Sequence, residues 1–82
     1  MPSVEEKVRQ IVVDQLGVDP ADVTLEASFT GDLGADDLDQ TELIGAFETA
    51  FNLEIPGELA GNIHTVGQAI AYLEKNAKSV KQ

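Results

Sequence analysis

The chain has 82 residues, of which 43% are hydrophobic, and it contains no cysteine and one histidine. Fifteen acidic residues against five basic ones give a formal net charge of −10, which disfavours nucleic acid as a partner because phosphate binding needs a basic face. We expect one small domain over residues 1–82, stabilised by packed helices because disulfides are ruled out.

The beginning of the sequence and its hydropathy bear on where the protein acts. Residues 1–6 lack the basic segment and apolar run of a secretory signal, and no apolar run is long enough to span a membrane. The absence of cysteine suits a reducing compartment. We therefore expect a soluble, monomeric, cytoplasmic protein that does not insert into a membrane.

A first helix is predicted to begin after Ser3. Ser3 and Glu6 have capping-box spacing, in which each side chain accepts the free backbone N–H of the other residue. Gly17 supplies the left-handed residue that ends a helix. The apolar residues expected to face the core recur at helical spacing, at Val4, Val8, Ile11, Val12 and Leu16.

A long connection follows the first helix. Asp19 and Pro20 begin a turn, and residues 21–23 are expected to form a single helical turn. From Thr24 to Ala35 we expect an irregular loop, and loops of that length in a compact domain are usually functional or pinned. The apolar residues expected to pin it to the core are Leu25, Phe29 and Leu33.

The second helix is predicted to begin in an acidic run at residues 36–39. Asp36 is the expected N-cap, and Asp37 and Asp39 add charge that the helix dipole favours. Each dipole interaction contributes only about 0.3–1 kcal/mol, and repulsion among the carboxylates removes part of it. Three adjacent carboxylates therefore exceed what capping requires.

The body of the second helix is predicted to have an apolar face and a polar outer face. The apolar face should comprise Leu38, Leu43, Ile44, Phe47 and Phe51, and the outer face Gln40, Glu42, Glu48 and Thr49. Gly45 is unusual, because glycine inside a helix costs about 1 kcal/mol relative to alanine. Its presence is compatible with close approach of another backbone, with loss of a side chain, or with drift at an exposed position.

Two more helical segments are predicted. Residues 58–63 have room for one short turn after Pro56 and Gly57. Thr65 and Gln68 repeat the capping-box spacing and open a last helix, whose core residues should be Val66, Ala69, Ile70 and Leu73. The predicted fold is all-α, a small four-helix bundle of three main helices and one short helix, with a long first loop and no strand.

The acidic residues do not match a metal or catalytic site. A calcium loop counted from Asp32 would place Gly34 and Leu43 at its third and twelfth positions, where oxygen ligands are needed. Acid–base catalysis by paired carboxylates needs a sheltering pocket, and this run should be exposed. His64 has no neighbouring ligand or catalytic companion in the sequence. We therefore expect no metal, no catalytic residue and no enzymatic activity.

Residues 32–39 read Asp-Leu-Gly-Ala-Asp-Asp-Leu-Asp and resemble the attachment motif of the acyl carrier protein family, whose core tetrapeptide is Asp-Ser-Leu-Asp. Further stretches resembling that family are 12–18, 41–44, 47–48, 51–56 and 65–73. The likeness is greatest to carriers of dissociated bacterial or plastid fatty acid synthesis, so the plastid stroma is the expected location in a eukaryote. It implies a four-helix carrier that holds an acyl chain on 4′-phosphopantetheine, attached to serine.

In this sequence the residue at the family's serine position is Asp37. A serine hydroxyl forms a stable phosphodiester with the prosthetic group, whereas a carboxylate could give only a hydrolysable mixed anhydride. Ser3, Ser28 and Ser79 lie outside the motif. The resemblance therefore implies an acyl carrier homologue that, as written, carries no 4′-phosphopantetheine.

Other departures from the family lie on the same helix. They are Gln40, Gly45, Phe47, Thr49 and Ala50. A laboratory replacement would normally alter position 37 alone, so this pattern favours natural divergence towards a docking module. The alternative is an ordinary carrier of fatty acid synthesis with an engineered Ser-to-Asp change at position 37.

The resemblance also implies two sets of site residues. A docking face for basic surfaces of acyl-chain-handling enzymes, or for another protein partner, would comprise Asp36, Asp37, Leu38, Asp39, Glu42, Gly45 and Glu48. An acyl-pocket set between the second and third helices would comprise Phe29, Leu43, Phe47, Ile55, Ile63 and Ala69. The aromatic ring of Phe47 is expected to fill part of that pocket.

Overall fold

The computed structural model of the protein describes residues 3–76 and contains four α-helices over that range. They are α1 (Val4–Leu16), α2 (Asp37–Phe51), α3 (Gly57–Ala60) and α4 (Val66–Asn76), with a 3-10 helix at Pro20–Asp22. Helix α1 packs against both α2 and α4. The predicted all-α fold is confirmed, since the only β-type pairing in residues 3–76 is an isolated bridge between Ser28 and Thr65. Ser79 lies outside the described residues.

Local side-chain bonds start α1 and α4 as predicted. The Ser3 hydroxyl accepts the Glu6 N–H at 3.1 Å, and the Glu6 carboxylate accepts the Ser3 N–H at 3.2 Å. In α4, the Thr65 hydroxyl accepts the Gln68 N–H at 3.1 Å, and Gln68 Oε1 accepts the Thr65 N–H at 3.1 Å. Helix α1 ends at Gly17, which is left-handed with φ of 67°. Each helix begins where a side chain accepts the backbone N–H groups that have no hydrogen-bond partner inside the helix.

One apolar core joins the three long helices. Its buried helical side chains are Val4, Val8 and Val12 of α1, Leu43, Phe47 and Phe51 of α2, and Val66, Ala69, Ile70 and Leu73 of α4. Ile11 and Leu16, also predicted for the core, are partly buried and pack against its edge. Because removing apolar surface from water supplies most of the driving force for folding, this shared core fixes how α2 is presented.

The connection between α1 and α2 is held to the core by two of the three predicted residues and by three others. Phe29 and Leu33 are buried as expected, but the prediction for Leu25 is wrong because its side chain is 50% exposed. The backbone explains this, since the Leu25 carbonyl accepts the Gly67 N–H at 2.9 Å and turns its main chain towards α4. The pins that the prediction missed are Val23, Ala27 and Ala35.

Further backbone bonds join this loop to the start of α4. The Ala27 carbonyl accepts the Val66 N–H at 3.0 Å, and the His64 carbonyl accepts the Phe29 N–H at 2.9 Å. Gly67 permits the close approach, since an added Cβ would lie 3.0 Å from the Leu25 carbonyl oxygen. The loop is therefore ordered by pairing with α4 as well as by its apolar pins.

The predicted faces of α2 need correction at three residues. Leu38 is 65% exposed and does not belong to the core face, because successive helical residues turn by about 100° and it points away from Phe47. Gln40, expected to face outward, is half-buried because it lies two turns before Phe47 on the same side. Glu48 is also half-buried, and its Oε2 accepts the Ile55 N–H at 2.7 Å.

Candidate functional site

The start of α2 is built by two reciprocal carboxylates. Asp36 Oδ1 accepts the Asp39 N–H at 2.8 Å, and Asp39 Oδ2 accepts the Asp36 N–H at 3.2 Å. Asp36 is therefore the N-cap, as predicted, and Asp39 completes a capping box that the sequence pattern did not indicate. Both carboxylates are already engaged in holding the helix start.

Asp37 is the first residue of α2, and its side chain is exposed. Its backbone carbonyl accepts the Thr41 hydroxyl at 3.1 Å. Its carboxylate, by contrast, takes part in no hydrogen bond or ion pair with the rest of residues 3–76. Asp37 therefore presents a carboxylate that helix capping does not use.

The hydroxyl groups of Thr41, Ser28 and Ser3 each take part in a local backbone hydrogen bond. Thr41 lies one turn further into α2 and donates its hydroxyl to the backbone. The Ser28 hydroxyl accepts the N–H groups of Gly31 and Asp32, each at 3.0 Å, and so stabilises its own loop. Ser3 caps α1. None of these three residues replaces a hydroxyl at the first position of α2.

The docking face predicted from the sequence lies along the start and outer side of α2. Its exposed members are Asp36, Asp37, Leu38 and Glu42, while Asp39, Gly45 and Glu48 are half-buried. Leu38, Glu42, Gly45 and Thr49 share the side opposite Phe47, because they recur every three or four residues. The structure thus presents an apolar side chain, carboxylates and a glycine on one surface.

The carboxylates of the docking face fall into two groups. Asp36, Asp39 and Glu48 each accept a backbone N–H, so contact with a partner would draw on groups that already stabilise the fold. Asp37 and Glu42 accept no hydrogen bond from within residues 3–76. These two carboxylates are therefore the ones fully available to a partner.

Gly45 lies in the middle of α2 with open space around it. In residues 3–76, a Cβ added there would meet no heavy atom within 4 Å beyond its chain neighbours and the adjacent helix backbone. Within residues 3–76, close approach of another backbone is therefore excluded as the reason for this glycine. Loss of a side chain and drift at an exposed position are both compatible with the open space.

The acyl-pocket set is brought together, but in the closed core. Phe29, Leu43, Phe47, Ile55, Ile63 and Ala69 are all buried. Phe47 is 0% exposed and occupies the interior between the loop and the helices. A filled interior follows from close packing, which leaves few voids around large aromatic side chains.

An open cleft lies beside this core, between α2 and α3. It has a volume of about 720 Å³. Helix α2 contributes Asp37, Gln40, Thr41, Ile44, Gly45 and Glu48, and the opposite wall contains Thr30, Ile55, Gly57, Ala60, Gly61 and His64. Of the acyl-pocket set, only Ile55 lines this cleft. Asp37 therefore stands beside an accessible surface cleft.

Several residues of this cleft were not predicted from the sequence. Thr41 and Ile44 lie four and seven residues after Asp37, so helical spacing could have placed them on its side of α2. Gln40 Oε1 is buried and has no hydrogen-bond partner among the residues that the structure describes. Thr30 and His64 come from distant segments, and no local pattern indicates their positions.

Metal-binding groups and membrane-spanning helices are absent from the residues that the structure describes. Within residues 3–76, no group of three or more histidine, cysteine, aspartate or glutamate residues is arranged to hold a metal ion. None of the helices described is both long and apolar enough to cross a membrane.

The chain is similar to known proteins over most of its length. Residues 6–73 match the family model described as a phosphopantetheine attachment site. Acyl carrier proteins of two Porphyromonas gingivalis strains are each 55% identical over 78 residues, covering 95% of this chain and 100% of the relative. A Mycobacterium tuberculosis structure described as a candidate acyl carrier protein has a TM-score of 0.83 at 29% identity, covering 89% of this chain and 97% of that one.

Proposed function

We propose that this chain docks on acyl-chain-handling enzymes without carrying 4′-phosphopantetheine. It belongs to the acyl carrier protein family, whose members are carriers and not enzymes. The observation that carries this proposal is the exposed carboxylate of Asp37 at the first position of α2. Family membership supports contact with acyl-chain enzymes, and the chemistry of position 37 supports the loss of loading.

4′-phosphopantetheine does not fit this position as a covalent group. The available side chain at position 37 is a carboxylate, and a carboxylate-linked phosphate would be a hydrolysable mixed anhydride. Thr41 has the nearest hydroxyl on α2, but it lies one turn away and is bonded to the Asp37 carbonyl. We therefore propose a chain that holds no prosthetic group and acts through its surface.

Electrostatic docking follows from the charge of that surface. Asp37 and Glu42 are exposed and take no part in capping, and the whole chain has a net charge of −10. A partner with a basic surface would be steered towards this side of α2, at a rate that falls as salt screens the charges. Asp36, Asp39 and Glu48 would add to the field while they continue to stabilise the helix and the loop.

We also propose that the protein acts as a single-domain monomer in the cytoplasm. One domain over residues 1–82 is supported by the full-length coverage of the two bacterial relatives. A high net negative charge opposes self-association, which supports a monomer. We place this monomer in the cytoplasm, where fatty acid synthesis by separate enzymes would supply its partners.

Loading is tested by intact mass after incubation with coenzyme A and a phosphopantetheinyl transferase. We expect the mass of this chain to stay unchanged and the Asp37→Ser variant to gain one 4′-phosphopantetheine. A stable adduct on the unaltered chain would overturn the proposed loss of loading. Peptide mapping of any adduct would distinguish position 37 from Thr41.

Docking is tested separately, by the affinity of the unaltered chain for a purified acyl-chain-handling enzyme of fatty acid synthesis. We expect affinity to fall as salt is raised, and to fall at low salt in the Glu42→Gln variant, because a carboxylate that steers the partner is lost. Glu74→Gln, on α4, is the matched control with the same charge change and should bind like the unaltered chain. Binding that does not respond to salt would count against electrostatic docking.

A further inference from the structure

The cleft between α2 and α3 has a carboxylate at each end of its α2 wall. Asp37, Ile44 and Glu48 all line it, and their spacing of seven and then four residues places them on one line along the helix. From Asp37 to Glu48 the helix rises by about 16 Å. The α2 wall therefore presents two negative charges far apart, with an isoleucine between them.

Both carboxylates can accept further hydrogen bonds. The Asp37 carboxylate has no hydrogen bond or ion pair within residues 3–76, and Glu48 uses only Oε2, which accepts the Ile55 N–H. Among the described residues that line the cleft, there is no lysine or arginine. The negative charge of the cleft is thus not neutralised by a neighbouring cation in this part of the chain.

Gln40 adds an acceptor that has no partner. It lines the same cleft, and its Oε1 is buried without a hydrogen bond from any of the residues that the structure describes. A buried acceptor without a partner destabilises a folded chain. A ligand that placed an N–H group beside Gln40 would supply the missing donor.

The part of the cleft between the two carboxylates can hold a hydrocarbon chain. Ile44 faces it from α2, and Ile55 and Ala60 line the opposite wall. Gly57 and Gly61 lie on that wall as well and add no side chain that would fill the space. The remaining polar residues of the cleft are Thr30, Thr41 and His64.

We propose that this cleft is a binding site for a linear aliphatic amine with an ammonium group at each end. One ammonium group pairs with Asp37 and donates an N–H to Gln40, and the other pairs with Glu48. The hydrocarbon chain between them lies against Ile44 and Ile55. The site goes beyond docking on enzymes and does not depend on it, because the ligand is a small molecule bound without a covalent step.

The requirement for two charges and for length is tested with three amines by isothermal titration calorimetry at low salt. Diaminododecane has an ammonium group at each end of a long chain. Diaminobutane has the same two charges on a chain too short to reach from Asp37 to Glu48, and aminododecanol has the long chain with one charge. We expect diaminododecane to bind about fivefold more tightly than either, as one additional exposed ion pair allows. Equal affinities for the three amines would overturn the proposed site.

Substitution of each carboxylate tests its role. Asp37→Asn and Glu48→Gln should each weaken diaminododecane binding about fivefold. Glu48→Gln keeps a side-chain oxygen that can accept the Ile55 N–H, so the loop contact is retained. Glu74→Gln, exposed on α4 and outside the cleft, has the same charge change and should bind like the unaltered chain. Equal weakening in all three variants would mean that the amine responds only to the net charge of −10, which would overturn the site.

Gln40→Leu should have opposite effects on stability and on binding. It removes a buried acceptor without a partner, so we expect a higher unfolding temperature, and it removes an acceptor for the ammonium group, so we expect weaker diaminododecane binding. Unchanged affinity in this variant would overturn the role of Gln40.

The position of the ligand is measured by nuclear magnetic resonance. Diaminododecane should shift the backbone amide signals of residues that line the cleft, on both α2 and α3. Shifts confined to other parts of the chain would overturn the site, and would leave the docking proposal to its own test.

Discussion

The two faces of α2 are subject to different physical demands. On the inner face, Leu43, Phe47 and Phe51 are almost completely buried. On the outer face, Leu38 is 65% exposed, and a Cβ added at Gly45 would meet no other segment of residues 3–76 within 4 Å. The inner face is accounted for by the core, whereas the outer face contains features that the isolated fold does not need.

That difference indicates which residues should affect stability and which should affect binding. Large apolar side chains in a packed interior cannot be removed without loss of transfer energy and formation of a cavity. An exposed leucine, an exposed carboxylate and an open glycine lack such constraints. We therefore expect substitutions on the two faces to separate into two experimental classes.

The largest expected effect is on the inner face. Phe47→Ala should lower the free energy of unfolding by about 3–5 kcal/mol, because it removes a fully buried aromatic ring. Leu38→Ala, on the outer face, should change it by less than about 0.5 kcal/mol. Urea unfolding followed by circular dichroism measures both.

A comparable loss in the two variants would break the distinction between the faces. The loss of unfolding free energy in Phe47→Ala can exceed the total unfolding free energy of a small domain. Phe47→Leu therefore provides a milder second variant. It should still be clearly less stable than Leu38→Ala, because it too leaves unfilled space in the core.

A smaller effect is expected where α2 begins. Asp36→Ala should cost about 1 kcal/mol, within a range of about 0.5–2 kcal/mol, since it removes the N-cap acceptor of the Asp39 N–H. Asp37→Asn should lie within about 0.5 kcal/mol of the unaltered chain, because loss of a favourable dipole interaction is offset by weaker repulsion. Urea unfolding at neutral pH compares the two. Equal losses would mean that Asp37 supports the helix as strongly as the cap does.

A matched pair of glycines should give an effect no larger than that of the cap, and of opposite sign. Gly45→Ala should stabilise the protein by about 1 kcal/mol, the helix-propensity difference between the two residues, because the added Cβ meets no other segment of the described residues. Gly67→Ala should give no such gain, because the added Cβ would press against the Leu25 carbonyl oxygen at 3.0 Å. Differential scanning calorimetry of the two variants measures the contrast. If both variants were more stable, the loop that contains Leu25 would have to move aside for the added Cβ at little cost in free energy.

The parts of the fold that were predictable depend on residues close together in the sequence. Ser3 with Glu6 and Thr65 with Gln68 form bonds across three residues, so their helix starts can be identified locally. Leu25 could not be placed in this way. Its side chain is exposed because its backbone pairs with Gly67, far along the chain.

The site was predictable in composition more than in detail. The acidic run and its resemblance to an attachment motif place the proposed docking face at the start of α2. The sequence did not indicate that Asp39 shares the cap with Asp36 or that Glu48 accepts the Ile55 N–H. Those bonds depend on side-chain conformation and on the path of the backbone after α2. Hydrophobic periodicity specifies neither.

The pairing of the long loop with α4 couples distant parts of the chain. If the start of α4 opened, the bonds from Gly67 to Leu25, from Val66 to Ala27 and between Phe29 and His64 would be lost together. Phe29 also accepts the Ala35 N–H at 2.8 Å, immediately before the residue that caps α2. We therefore expect the proposed docking face to belong to the same cooperative unfolding unit as the last helix, so that local melting at one would loosen the other.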